Sequence, residues 1–115
     1  MHFNGEARHI LVDLPDRNAY SKPPQVGEAI PDVYAPLHAG GIVIGEAKTS
    51  ADLENRHTEG QFRTYLKFCK LNPQSFLVVA VPWPVEALAK DRLKYIKKKE
   101  NLEDVKTIVL EKLRG

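Results

Sequence analysis

Three charged residues stand out by their placement. Glu46 and Lys48 lie two residues apart at the end of the apolar run Ile42-Val43-Ile44. Asp32 lies on the other side of a bend that contains His38-Ala39-Gly40-Gly41. Read as a hairpin of strands 32–37 and 42–48, the segment alternates its side chains between two faces. Ile42, Ile44, Glu46 and Lys48 then share one face, and Val43, Gly45 and Ala47 the other. A hairpin centred near Ala39 sets Asp32 opposite Glu46, within one residue. Opposed residues hold their Cβ atoms about 4.5–5.5 Å apart, where like charges repel. A divalent cation converts that repulsion into ligation, which makes Asp32 and Glu46 candidate metal ligands. Two carboxylates, completed by waters and substrate phosphates, are the usual setting for Mg2+, with Mn2+ as its substitute. The chemistry this predicts is metal-assisted phosphodiester hydrolysis, with Lys48 stabilising developing negative charge or orienting the attacking water.

The rest of the chain has to hold these groups in place. Ile10 to Leu14 is a short branched run that predicts a strand. Residues 15–31 carry Pro15, Pro23, Pro24, Gly27 and Pro31 among polar residues and predict a loop. A helix is expected over about 58–71, with Thr58 and Gln61 fitting a capping box and Asn72-Pro73 ending it. Phe62, Tyr65, Leu66 and Cys69 recur there at helical spacing. An earlier turn of helix is expected within 50–57, with Ser50 as a cap. Phe76 to Val81 reads as a strand covered on both faces. Val85 to about Lys99 reads as an amphipathic helix whose shared face holds Leu88, Ala89, Arg92, Leu93 and Ile96. Val105 to Leu110 reads as a last strand. Strands and helices in this order predict an α/β domain, a mixed sheet packed by helices.

Pro31-Asp32 followed by Glu46-Ala47-Lys48 resembles the PD…ExK signature of the PD-(D/E)XK nuclease superfamily. Gln61-Phe62-Arg63-Thr64-Tyr65 resembles the QxxxY motif of its RecB-like branch. The resemblance spans roughly residues 10–110 and implies a restriction-endonuclease-like core with the signature on the central hairpin. It also implies a third metal ligand, the Ala47 carbonyl, and a role for Gln61 and Tyr65 in organising the site or contacting nucleic acid. Together these give a candidate catalytic set of Asp32, Glu46, Lys48, Gln61 and Tyr65. The family core usually opens with a helix before the first strand, and here only MHFNGEAR stands there. The leading helix is therefore expected to be short or missing, with Glu6 a poor substitute for its acid. A homodimer, or a partner chain supplying that helix, would complete such a core.

Composition bounds the reading. At 115 residues, 43% of them apolar and 28% charged, the chain is expected to be one globular domain, 1–115. A single cysteine, Cys69, rules out an internal disulfide framework and suits the cytoplasm. No apolar run approaches the roughly 20 residues of a membrane span. Net charge is only +2. The basic stretch at 90–99, KDRLKYIKKK, reads as a solvated helix face or as a phosphate-facing patch. On the second reading Lys94, Lys97 and Lys98 bind nucleic acid, together with Arg56 near the first helix. The expected partner is DNA, with RNA the alternative polyanion.

Other features argue less. Gln61 fits a capping-box role as well as a catalytic one, and Tyr65 fits a core aromatic with its hydroxyl at the edge. Trp83, between Pro82 and Pro84, reads as a rigid lid on the core. His9 and His38 lack zinc-site spacing with cysteine. Gly40-Gly41 has no following helix and does not form a phosphate loop, and no Gly-x-Ser-x-Gly elbow occurs. The rival expectation is a non-catalytic nucleic-acid-binding or assembly module of the same fold.

Overall fold

A computed structural model of the chain describes residues 11–12 and 23–112. Ile10, Asp13 and Leu14 of the first expected strand, Glu6, His9, the stretch MHFNGEAR and residues 15–22 lie outside the described residues.

The described elements follow the expected order. They are β1 (Leu11–Val12), β2 (Val33–Pro36), β3 (Ile42–Ala47), α1 (Arg56–Leu71), β4 (Phe76–Pro82), α2 (Glu86–Lys99) and β5 (Lys106–Lys112). The strands form one mixed sheet in the order β1-β2-β3-β4-β5. β1, β2 and β3 are antiparallel neighbours, while β3, β4 and β5 run parallel, joined by α1 and α2.

The β2–β3 turn is built on two glycines. Gly40 and Gly41 hold φ values of +98° and +85°, a region that side-chain-bearing residues rarely adopt. A Cβ on Gly41 would also lie 2.3 Å from the carbonyl oxygen of Gln74, so this turn packs against the α1–β4 connection. Ser75 adds a link there by accepting the Ile42 N–H at 2.8 Å.

Alternation along β3 and β4 divides the core. Ile44, Leu77, Val79 and Val81 face α1 and α2, meeting Phe62, Tyr65, Leu66, Leu93 and Ile96. Val43, Phe76 and Val78 point to the other face, with Ala35 and Leu37. Both faces of β4 are therefore buried, which explains its unbroken apolar sequence.

Several local expectations are corrected. Helix α1 starts three residues earlier than the capping box implies. Asn55 is the cap, its side-chain oxygen accepting from His57 N and Thr58 N, while Thr58 is buried. The turn before it, Asp52–Glu54, is closed by Thr49 rather than Ser50: Asp52 N donates to Thr49 Oγ1 and Thr49 N to Asp52 Oδ2. Trp83 is 71% exposed and does not cover the core. Arg92 is exposed, outside the buried Ala89, Leu93 and Ile96 face of α2. β5 runs from Lys106 to Lys112, with Val105 just before it.

Candidate functional site

β3 and β4 run parallel and end side by side, and α1 begins beyond the end of β3. Loops and a helix N-terminus thus gather at the carboxyl end of the sheet, where open α/β sheets place their ligand sites. Glu46 is the penultimate residue of β3 and Lys48 the first beyond it. Both follow Ile44 on the helix-covered face.

The hairpin register fixes Asp32. Val33 pairs with Gly45, so Asp32, one residue before β2, comes opposite Glu46. Two hydrogen bonds clasp the pair. Asp32 N donates to Glu46 Oε1 at 3.1 Å, and Ala47 N donates to Asp32 Oδ2 at 2.8 Å. These two bonds set both carboxylates at the same end of the hairpin.

Glu46 is buried, and its environment is divided. The Tyr65 hydroxyl donates to Oε1 at 2.9 Å, and the Lys48 ammonium lies 3.3 Å from Oε2. Burial and then the Asp32 charge push its carboxyl above the ordinary range, against the opposing pull of Lys48 and Tyr65. The Tyr65 phenol is pushed up as well, first by burial and then by the Glu46 charge, so it stays a donor at any working pH. Lys48, itself buried, donates through Nζ to Gln61 Oε1. Its backbone N–H donates to Ala80 O at 2.9 Å, tying the end of β3 to β4.

Gln61 and Tyr65 lie one turn apart on α1, and helical spacing aims both at the end of β3. With Asn55 as the cap, Gln61 has no capping duty and instead holds Lys48. Tyr65 is fully buried yet its hydroxyl ends in a polar contact, so a core position and a hydrogen bond to Glu46 coexist. The structure thus brings Asp32, Glu46, Lys48, Gln61 and Tyr65 into one hydrogen-bonded cluster.

Ala47 also reaches the cluster through its main chain. In a strand, a residue's N–H and C=O point to the same edge. Since Ala47 N–H faces Asp32, its carbonyl lies on that edge too. Two carboxylates and a carbonyl are hard oxygen donors, a set that fits Mg2+ or Mn2+ and not a thiophilic metal. No group of three or more His, Cys, Asp or Glu side chains suited to a metal occurs among the described residues. A cation at this pair would therefore depend on solvent and substrate oxygens for much of its coordination.

The proposed nucleic-acid contacts are not all together. Arg56 opens α1 at the site end and is exposed. Lys94, Lys97 and Lys98 lie in the later half of α2, which runs back from the end of β4 toward the opposite end of the sheet. They line a cleft of about 450 Å3 beside Thr107 and Val109 of β5. The carboxylate pair and this basic cleft are thus separate features.

Sequence reasoning missed the Asn55 cap and the Thr49–Asp52 exchange. Thr49-Ser50-Ala51-Asp52 does carry a capping-box pattern, so that signal was present. Cys69 is buried with its thiol pushed up to about 12 by burial, as befits an inert core residue. No described helix is long and apolar enough to cross a membrane. In comparison with known proteins, no family model matches the chain, and neither a curated protein nor a solved structure matches it.

Proposed function

We propose that this chain is a Mg2+- or Mn2+-dependent nuclease domain with a restriction-endonuclease-like core, acting on phosphodiester bonds of DNA. The observation that carries the reading is the shared cluster at the end of β3, in which Glu46 accepts from the Asp32 N–H, Asp32 accepts from the Ala47 N–H, and Lys48 stands beside them. Asp32, Glu46 and the Ala47 carbonyl would hold the cation, whose contribution is Lewis-acid assistance to phosphodiester hydrolysis.

The protein's own groups have definite tasks. Tyr65 and the Asp32 N–H fix the rotamer of Glu46, so its carboxylate is aimed before any ligand arrives. Gln61 holds the Lys48 ammonium beside the carboxylates, where it stabilises negative charge developing on a phosphoryl oxygen. The rigid hairpin supplies the alignment that such a reaction needs.

One observation favours a second reading, a non-catalytic nucleic-acid-binding or assembly module. Glu46 already has Tyr65, Asp32 N–H and Lys48 as partners, so the cluster is satisfied as a structural knot. Calorimetric Mn2+ titration separates the two. A nuclease binds Mn2+ at one site that Asp32→Asn and Glu46→Gln each abolish. A structural knot takes up no Mn2+ in any of the three proteins.

A further inference from the structure

Beside the carboxylate cluster, the turn at residues 28–30 and the outer side of α1 enclose an open cavity of about 560 Å3. Gln61 belongs to both places: its side chain accepts from Lys48, and the residue is part of this cavity's lining. A group seated here therefore adjoins whatever Lys48 contacts.

The electrostatics of the lining limit the occupant. Arg63 and Lys67 are its strong cations, and both are already ion-paired. Arg63 meets Glu100 at 3.3 Å and Glu59 at 3.8 Å, and Lys67 meets Glu100 at 3.5 Å. Glu28 adds a further negative charge to the wall. A phosphate gains little from such a lining and does better beside Lys48. The remaining lining suits a neutral, flat, hydrogen-bonding group. Ile30, 46% exposed, offers an apolar surface, while His57, Gln61 and Thr64 are polar residues of the lining.

Gly60 supplies a second, independent observation. It sits in the interior of α1, where glycine destabilises a helix relative to alanine. Packing does not require it, because a Cβ built there meets nothing within 4 Å. Gly60 is itself one of the residues that line the cavity. Glycine at an uncrowded helical site, in the wall of a cavity, keeps the helix backbone open to close approach by a ligand.

We infer that this cavity is a nucleoside pocket, which takes the unstacked base and sugar of the nucleotide next to the phosphate held at Lys48. The inference rests on the nuclease reading and sharpens it: a base in this pocket has left its stack, so the substrate is single-stranded or locally opened nucleic acid. Duplex with both strands stacked does not fill the pocket. An unpaired base meets it without the cost of unstacking a duplex.

The test compares wild type with Gly60→Leu, which adds a bulky side chain to the pocket wall, and Gly60→Ala as a milder control. Binding of fluorescent single-stranded and duplex oligonucleotides is measured in chelator, cleavage in Mn2+, and folding by urea unfolding. Wild type is expected to prefer single strands in both binding and cleavage. Gly60→Leu is expected to bind single strands about tenfold more weakly, the scale of one lost base contact, with KM raised and the urea midpoint no lower than that of wild type. Gly60→Ala is expected to unfold at higher urea and to bind between the two. If Gly60→Leu fails to fold, Ile30→Asp, at an exposed loop position, reports on the same pocket and is expected to show the same weakened binding. Folded Gly60→Leu that binds and cleaves single strands like wild type overturns the pocket, as does a wild type that cleaves duplex alone; the nuclease reading survives either result. A wild type that neither binds nor cleaves any nucleic acid overturns both.

Discussion

The hydroxyl of Tyr65 on α1 and the Oε1 atom of Glu46 on β3 share a buried hydrogen bond of 2.9 Å. This bond joins the helical layer to the chemistry of the sheet. The ring fills the core that Phe62 and Leu66 share, while its oxygen holds the carboxylate. Tyr65→Phe should keep the packing and lose only the donor. The expected loss of stability is about 1–3 kcal/mol in the metal-free protein, since the bond serves a carboxylate. Urea unfolding in chelator at neutral pH measures it. Cleavage is expected to fall about tenfold as Glu46 loses its fixed rotamer.

Glu46 should make stability depend on pH in a defined direction. Burial and Asp32 raise its folded-state value above the ordinary 4.5. The folded chain then holds that proton more tightly than the unfolded chain does. The associated stabilisation is fully present below the unfolded value and is lost as pH rises through the folded value. Glu46→Gln mimics the protonated form at every pH. The variant is therefore expected to gain stability on wild type as pH rises from 4 to 7 in chelator, and to match it most closely at pH 4. An advantage that shrinks with rising pH would contradict the assignment.

Lys48 and Gln61 should act in series. Lys48→Met removes the ammonium and is expected to lower kcat by about 10²–10³, the scale of removing one electrostatic stabiliser. Gln61→Leu leaves the charge and removes its holder. Its expected effect on kcat is smaller, and the double variant should be close to Lys48→Met alone. Fully additive losses would mean that Gln61 works independently of Lys48.

Two substitutions separate surface from framework. Asn55→Ala removes the side chain that caps α1 and should cost about 1 kcal/mol. Trp83→Ala, at an exposed position, should change stability by about 0.5 kcal/mol or less. Thermal unfolding of both variants checks the two values.

The sequence was legible where periodicity and chemistry agreed. Ile42 to Lys48 alternates cleanly, so the hairpin register and the placing of Asp32 opposite Glu46 followed from counting residues. Gln61 and Tyr65 followed from helical spacing. Competing local signals were harder to separate. Thr58 and Gln61 match a capping box, yet Asn55 wins because Thr58 is drawn into the core. Trp83 between two prolines suggests a fixed lid, but the 3-10 turn at Trp83–Val85 leaves the indole in solvent. The basic stretch on α2 was plain in composition, whereas its separation from the carboxylates depends on the direction of α2, which only the fold supplies. The cavity at Gly60 joins a loop to a helix, a long-range pairing that no local pattern encodes.

The central claim is metal-dependent phosphodiester hydrolysis at Asp32 and Glu46. Its most direct test is cleavage of labelled single-stranded and duplex DNA in Mg2+, Mn2+ and chelator, with Glu46→Ala beside wild type. The account predicts cleavage by wild type that requires either cation, stops in chelator and disappears in Glu46→Ala. Undiminished cleavage by Glu46→Ala, or no cleavage by folded wild type in either cation, would contradict it.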